Sequence, residues 1–348
     1  MRIEYPHIQL IKYVGSKTKL LDFIVPEIEK QSTPGDTIVD LFAGTCAISY
    51  ALKQNYQIIT NDLQNYSNVI SKAIIERNLS INSKIALDDL GEFIDKEKPS
   101  KYTFFSRIYK NTFFSEKQCK EIDSLRFAID EYGGNRKYLY LTALMSAMSL
   151  YSNSPGHFAE YFPYKVNPKK EKSITKKFLE KCDDLSNVTI SKYKNKGYLG
   201  DYKKIIPKNA RRIRNASIIY ADPPYSAAHY SRYYHLLETL VKYDSPEVEY
   251  KGRYRKDRVQ SNFSKKITVE QEFKDLFELC SSESDATLFL SYVNGGQGLL
   301  STKKLVEIAE GFYQKTSLKL FKNYKHSMNG NGSPKTVEEI LLICKNDT

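Results

Sequence analysis

The sequence predicts an α/β protein. Three stretches support this class: a strand–turn–helix pattern at residues 37–52, a second strand at residues 57–60, and a buried strand at residues 218–220. Each run of strand-forming residues ends at an acidic side chain or is closely followed by one. Ligands of open α/β sheets bind outside the carboxyl ends of the strands, so these acids mark the expected site.

Composition and charge restrict the class of protein. The 348 residues suffice for one large domain or two moderate ones. The net charge of +12 favours a polyanionic partner. No stretch resembles a signal peptide or reaches membrane-spanning length. The five cysteines form no CxxC pair, which disfavours a zinc site or disulfide framework and favours the reducing cytoplasm.

Residues 11–19, IKYVGSKTK, precede an apolar helix start at residues 20–24. The Gly15-Ser16-Lys17 turn would lie at a helix N-terminus, where backbone N–H groups can receive an anion. Such a short pattern is weak evidence by itself, and a plain surface turn is the alternative.

Residues 37–52 read TIVDLFAGTCAISYAL, and they predict a strand, a tight turn and a helix from Ala47. The stretch lacks GxGxxG, which disfavours a dinucleotide cofactor. Gly44 would let the backbone approach a ligand closely. Asp62, just after the second strand, is well placed to bind ribose hydroxyls. The series therefore indicates a nucleotide-binding sheet.

From residue 66 to 195 the pattern becomes mostly helical, and it is rich in Lys, Tyr and Phe. Examples are KYTFF at residues 101–105 and KNTFF at residues 110–114. Basic residues interleaved with aromatics are typical of a nucleic-acid face. An ordinary helical insert with solvated lysines is an equal alternative.

The α/β pattern resumes at residues 197–206, where Asp201 occupies a third strand end. A helix is expected at residues 229–244 and a strand at residues 287–293. Residues 319–324 and 338–344 predict a terminal strand pair.

Residues 251–266 hold seven Lys or Arg against one Asp and show no apolar periodicity. We predict a mobile loop that contacts phosphates, with a plain solvated loop as the alternative. The candidate DNA-binding side chains in it are Arg253, Arg255, Lys256, Arg258, Lys265 and Lys266.

The stretch SIIYADPPY at residues 217–225 is the most informative one. Two successive prolines end the strand, because neither has an N–H to donate. The amino group of adenine is a poor nucleophile, and two acceptors would return electron density to it. Asp222 and the Pro223 carbonyl supply those acceptors, while Pro224 leads to Tyr225, on which an extruded base could stack. A strand end followed by a proline turn is the structural alternative.

In the order KYVGSK, DLFAG, an acid after the second strand, and DPPY, the chain resembles the Dam-like, alpha-group adenine-N6 DNA methyltransferases. These enzymes commonly belong to restriction–modification systems. The resemblance is weakest at residues 66–149. It implies a Rossmann-like, seven-stranded mixed-sheet methyltransferase core at residues 1–65 and 196–348, with a mostly helical target-recognition insert at residues 66–195.

The resemblance also implies S-adenosyl-L-methionine as methyl donor. The cofactor-binding positions that it transfers to this chain are Tyr13, Lys17, Asp40, Phe42, Gly44, Asp62 and Asp201. The catalytic positions are Asp222, Pro223, Pro224 and Tyr225. Two residues depart from the family pattern: Cys46 replaces the second glycine of the turn, and Tyr13 stands where Trp is frequent.

We therefore predict a DNA adenine-N6 methyltransferase that flips its target base out of the duplex and needs no metal. Its expected partners are double-stranded DNA and a restriction endonuclease that acts separately. Cytosine-N4 methylation is an alternative, although Ser is more usual there in place of Asp222. RNA or protein-amide methylation, and a catalytically silent DNA-binding protein, are further alternatives.

Overall fold

The computed structural model describes residues 5–94, 96–163, 171–225, 230–294, 298–325 and 336–346. Residue 229, at the start of one predicted helix, and the predicted turn at residues 330–334 lie outside these ranges.

One sheet of seven strands forms the centre of the fold, in the order β3-β2-β1-β4-β7-β9-β8. The strands are β1 Thr37–Asp40, β2 Gln57–Asp62, β3 Lys196–Leu199, β4 Ile218–Ala221, β7 Thr287–Val293, β8 Lys315–Lys325 and β9 Thr336–Lys345. The first five of these pair in parallel, and β9 runs antiparallel between β7 and β8. The predicted mixed sheet is confirmed.

The apolar runs at β1 and β4 are strands that are covered on both faces. Ile38 and Ile218 face one hydrophobic cluster, whereas Val39 and Ile219 face the other. Every residue of β4 is buried, which explains its continuous apolar sequence. The prolines that follow end this strand, as the sequence predicted.

Helices cover both faces of the sheet. The first face carries α1 Leu21–Glu29, α2 Ala47–Leu52, α3 Asn65–Ile74, α11 Tyr230–Tyr233 and α12 His235–Lys242. The second face carries α9 Tyr202–Lys208, α10 Ala210–Ile213, α13 Val269–Glu283 and α14 Thr302–Glu310. Within the described ranges, no helix is both long and apolar enough to cross a membrane.

The middle of the chain is helical, as predicted. Its helices are α4 Ser83–Ile94, α5 Phe104–Ile108, α6 Glu116–Tyr132, α7 Lys137–Tyr151 and α8 Ile174–Ser186. Helix α3, which precedes them, packs directly on the sheet, where the Ser71 hydroxyl lies 2.5 Å from that of Thr60 on β2. One hydrophobic cluster runs from the sheet through α3 into this insert.

The phenylalanines of the KYTFF and KNTFF stretches are not a nucleic-acid face. Phe104, Phe105, Phe113 and Phe114 are at most 3% exposed and belong to the hydrophobic core. The hypothesis of a basic–aromatic surface in these two stretches is therefore wrong. The aromatic residues provide packing, while lysines between them remain at the surface.

The basic segment at residues 251–266 is more ordered than predicted. It contains strand β6 Tyr254–Arg255, which pairs with β5 Val248–Glu249, and a 3₁₀ turn at Asn262–Ser264. Arg255 is 2% exposed, and its guanidinium binds the carboxylates of Asp244 and Asp257. The prediction that Arg255 is a mobile phosphate-binding side chain is wrong, because its Nε, Nη1 and Nη2 atoms already donate to these two carboxylates.

We expect Arg255→Ala to lower the free energy of unfolding by about 1.5–3 kcal/mol, the usual loss for charge-assisted hydrogen bonds. Lys256→Ala is the matched control, since its pair with Glu247 is fully exposed and should contribute little to stability. Denaturant titration measures both. Equal, small losses would contradict a structural role for Arg255.

The same ion pair predicts a pH dependence. Hydrogen bonds from Arg255 lower the pKa of Asp257 to about 2. A carboxyl whose pKa falls on folding adds stability above its ordinary pKa near 4. This contribution should disappear in wild type as the pH falls from about 4 to 2, and it should be smaller in Arg255→Ala, where Lys242 still pairs with Asp257.

Candidate active site

The carboxyl ends of β1 and β4 open onto a cavity with about 930 Å³ of free space. These strands are neighbours although they are far apart in sequence, so the strand order reverses between them. Such a switch point is the usual ligand crevice of an open α/β sheet. The predicted site residues that line it are Tyr13, Lys17, Asp40, Phe42, Gly44, Asp62, Asp222 and Pro224.

Asp222 directly follows β4 and forms an ion pair in this cavity. Lys17, at the start of a 3₁₀ turn before α1, places Nζ 3.1 Å from Asp222 Oδ1. Lys17 is 5% exposed and Asp222 is 17% exposed, so the carboxylate remains accessible. Although burial opposes it, the nearby carboxylates of Asp222 and Glu339 hold the pKa of Lys17 well above its ordinary value. The side chain is therefore an ammonium ion.

Asp40 ends β1 and lies next to the β4 pair. Its Oδ2 accepts a hydrogen bond of 2.6 Å from the Ser49 hydroxyl, while its buried Oδ1 has no partner among the described residues. Burial raises the pKa of Asp40 to about 7, and the charges of Asp222 and Asp62 add to the rise. A buried acceptor of this kind favours a cationic or N–H donor in the cavity.

Asp62 ends β2 and supports the turn after β1. Its carboxylate accepts the N–H of Gly44 at 2.9 Å and that of Gln64 at 2.8 Å. Burial raises the pKa of Asp62, and its interactions with Gln64, Gly44, Ser67 and Leu63 oppose this rise. The predicted contact of Asp62 with ribose hydroxyls stays a prediction.

The turn above Asp62 has a conformation that only small side chains tolerate well. Gly44 has φ +52°, and a Cβ there would lie 3.1 Å from the Tyr13 hydroxyl oxygen. Cys46 has φ +61° and caps α2 in the left-handed region. Cys46 therefore changes only the side chain at this position, at a cost of about 1–2 kcal/mol. The backbone keeps the left-handed conformation that glycine favours.

An aromatic wall on one side of the cavity was not recognised in the sequence. Tyr13 stacks on Tyr234, with ring centroids 4.7 Å apart, and Tyr230 lies 5.6 Å from Tyr13. Tyr234 also accepts the Val14 N–H at 2.7 Å. The tyrosine-rich stretch soon after DPPY is the available signal. It predicts a helix, but a helical pattern does not show that this helix packs against residue 13.

The other residues of the predicted catalytic tetrapeptide lie in or beside the cavity. Pro223 is buried, and the Tyr225 ring makes an edge contact with Tyr292 at 6.1 Å between centroids. Lys17 Nζ is 5.6 Å from the centroid of the Tyr225 ring. The predicted stacking of a base on Tyr225 stays a prediction.

Asp201 lies in an adjoining cleft that shares Phe42, Leu63 and Val259 with the main cavity. Its carboxylate caps α9 by accepting the Lys203 N–H at 3.0 Å. The structure thus places Asp201 next to the cavity but not in its lining.

Glu339 is a second residue that the sequence did not reveal. It lies on β9, is 2% exposed, and places Oε1 3.4 Å from Lys17 Nζ. The sequence EEILLIC predicted a strand, but only the pairing of β9 with β7 brings this glutamate towards β4.

The remaining basic candidates differ in their surroundings. Arg258 is 14% exposed and pairs with Glu249, so it supports the β5–β6 hairpin. Lys265 and Lys266 are exposed, and they directly follow Ser264, which lines the cavity. These two lysines are the best placed of the predicted phosphate contacts.

The chain matches the model of the D12 class N6 adenine-specific DNA methyltransferases over residues 13–308. It therefore belongs to this family, and the resemblance inferred from the motifs is confirmed.

Three relatives illustrate the match. Modification methylase LlaI of Lactococcus lactis subsp. lactis is 28% identical over 96% of this chain and 55% of its own length. Type II methyltransferase M.FokI of Planomicrobium okeanokoites is 26% identical over 90% of this chain and 48% of its own length. The chain thus spans about half of each of these relatives. Type II methyltransferase M.NlaIII of Neisseria lactamica is 26% identical over 96% of this chain and 99% of its own length.

We expect the affinity for S-adenosyl-L-methionine to rise between about pH 6 and 8, because the pKa of Asp40 is about 7. A bound cation favours the ionised carboxylate, so binding releases a proton and strengthens as the pH increases. Calorimetry across this range measures the effect.

Asp40→Asn is the control for this prediction. It should remove the pH dependence and weaken binding at pH 8 by roughly tenfold or more, since a charge-assisted hydrogen bond contributes about 1.5–3 kcal/mol. Asp62 and Asp222 remain ionisable in this variant. A pH dependence that persists in it would assign the proton to one of them.

Proposed function

We propose that this protein transfers a methyl group from S-adenosyl-L-methionine to the N6 amino group of adenine in duplex DNA. The observation that carries the proposal is the accessible Asp222 carboxylate, held by Lys17 at the end of β4 in a cavity that also contains Asp40 and Asp62. Membership of the D12 class supports the choice of base and atom.

The cavity fits the chemistry of this cofactor. S-adenosyl-L-methionine carries a sulfonium and an ammonium cation, and the buried acids of the cavity complement both. Asp40 Oδ1 is an acceptor without a partner among the described residues, and the Asp62 carboxylate, which would accept from ribose hydroxyls, lines the same cavity. Phe42, which packs edge-on against Phe263 at 5.4 Å, provides an apolar surface between the main cavity and the Asp201 cleft.

Asp222 would accept one N–H of the adenine amine, and the Pro223 carbonyl would accept the other. Both bonds raise electron density on nitrogen and fix its direction of attack, so positioning supplies much of the rate enhancement. The cofactor, when bound, supplies an electrophilic methyl group whose carbon–sulfur bond breaks as the nitrogen–carbon bond forms. The amine then loses one proton, to Asp222 or to water. The base must leave the duplex to reach this site.

We further propose that residues 66–195 contain the determinants of target sequence, and that the protein acts in the cytoplasm beside a separate restriction endonuclease. The printed names of its relatives as modification and type II methyltransferases support the pairing with a nuclease. Five buried free cysteines are compatible with a reducing compartment.

Transfer of labelled methyl groups to duplex DNA, followed by identification of the modified base, tests the function. We expect N6-methyladenine from wild type. Asp222→Ala should lose at least about a hundredfold in rate, as expected when a group that stabilises the transition state is removed. Its affinities for cofactor and DNA should be largely retained. Modified cytosine, or an active Asp222→Ala variant, would contradict the proposal.

The basic segment gives a separate prediction for DNA binding. Lys265→Ala/Lys266→Ala should reduce the slope of log affinity against log salt by about 1.8 in magnitude, since each phosphate contact contributes about 0.9. The methylated sequence should stay unchanged, because phosphate contacts position the protein without specifying bases.

Arg211→Ala/Arg212→Ala is the matched control for charge. These arginines line a cleft with Thr37 and Gln57 at the opposite edge of the sheet, where β1 and β2 begin. Their removal should leave the salt slope unchanged. Equal slopes in all three proteins would show that Lys265 and Lys266 do not contact phosphates.

A further inference from the structure

Lys17 contacts two carboxylates. Its Nζ lies 3.1 Å from Asp222 Oδ1 and 3.4 Å from Glu339 Oε1. The three residues come from the 3₁₀ turn before α1, the end of β4 and the antiparallel strand β9. Lys17 and Glu339 are almost fully shielded from solvent, at 5% and 2% exposed, whereas Asp222 is 17% exposed.

Fold stability alone does not account for Glu339. A buried carboxylate loses hydration, and its ion pair often contributes less to stability than an apolar side chain of similar size would. Glu339 Oε2 also has no hydrogen-bond partner among the described residues. Its neighbours across the sheet, Val293 and Phe321, are apolar. Apart from the Lys17 ammonium, the surroundings of Glu339 on β9 therefore give no structural reason for a carboxylate.

The charge balance of the site suggests a catalytic reason. Asp222 and Lys17 alone form a neutral pair, and Lys17 then draws electron density from the carboxylate that must accept the amine N–H. Burial raises the pKa of the Asp222 and Glu339 carboxyl groups, and the Lys17 ammonium opposes this rise at both. With both groups ionised, the cluster carries a net charge of −1, and the ammonium is shared. Methyl transfer moves positive charge onto the amine nitrogen, beside Asp222. A fixed negative charge at that point stabilises the transition state more than the ground state.

We propose that Glu339 is a positioning residue for methyl transfer: it holds the Lys17 ammonium and gives the Asp222–Lys17 cluster its net negative charge. This role rests on the proposed function of the Asp222 site. The residue lies beyond the segment matched by the family model, which ends at residue 308. The contact with Lys17 therefore identifies it, and no motif does.

Glu339→Gln tests the proposal, because glutamine keeps the size and an acceptor for Lys17 but removes the charge. Glu338→Gln is the matched control. Glu338 precedes it on the same strand, accepts a hydrogen bond from Asn294 at 2.8 Å, and gives the same change in net charge. Glu339→Asp keeps the charge with a shorter side chain. Single-turnover methyl transfer, cofactor affinity, DNA affinity and unfolding temperature are measured for all four proteins.

We expect Glu339→Gln to reduce the single-turnover rate by about tenfold or more, as for the loss of other preorganised charges. Its affinities should change by less than about threefold, or roughly 0.7 kcal/mol. Its unfolding temperature should not fall. Glu338→Gln should resemble wild type, and Glu339→Asp should recover most of the rate.

Other results would overturn the proposal. An unchanged rate in Glu339→Gln, a loss confined to cofactor affinity, or equal loss in the Gln and Asp variants would each exclude a role for the charge. If wild type itself transfers no methyl group to adenine, the proposed function fails as a whole. An active wild type with an unchanged Glu339→Gln variant overturns only the role of Glu339.

Discussion

The ion pair between Lys17 and Asp222 is the interaction on which the candidate active site depends. Parallel strands deliver Asp40, Asp62 and Asp222 to one edge of the sheet, where burial raises the pKa of each carboxyl. Lys17 is the cation that opposes this effect at Asp222, where an ionised acceptor is required. The turn that carries Lys17 must therefore dock against β4 before the site is complete.

Tyr234, which lies between α11 and α12, secures that docking. It stacks on Tyr13 and accepts the Val14 N–H, so it holds the segment just before Lys17. On the same face, Glu238 of α12 accepts hydrogen bonds from the Asn65 side chain and the Tyr66 N–H, where α3 begins. Through α3 and its shared hydrophobic cluster, the site is packed directly against the helical insert.

Much of the fold and part of the candidate site were predictable from local sequence patterns. The runs at β1, β2 and β4 are apolar and end at acids, and the prolines after Asp222 leave only one place for the strand to stop. The helical structure of the insert was predictable, but the sequence did not show which of its side chains face solvent. An aromatic–basic sequence is the same whether the rings face solvent or core, and here Phe105 and Phe113 face the core. Residues 251–266 were misjudged for a related reason, because the acids that pair with Arg255 and Arg258 include residues outside the segment.

The sequence by itself determined the order in which the groups of the candidate site follow one another along the chain. They are a turn with Lys17, a glycine turn after β1, an acid after β2, and Asp222 before two prolines. Each depends on residues that are adjacent in the chain, where backbone preferences act. Only the tertiary structure decided which distant side chains share the charge of that site. Glu339 lies 322 residues from Lys17, and its place follows from the antiparallel insertion of β9 beside β7. Long-range pairing of this kind leaves no local pattern, since the apolar run of β9 predicts a buried strand but does not show which distant side chains it meets.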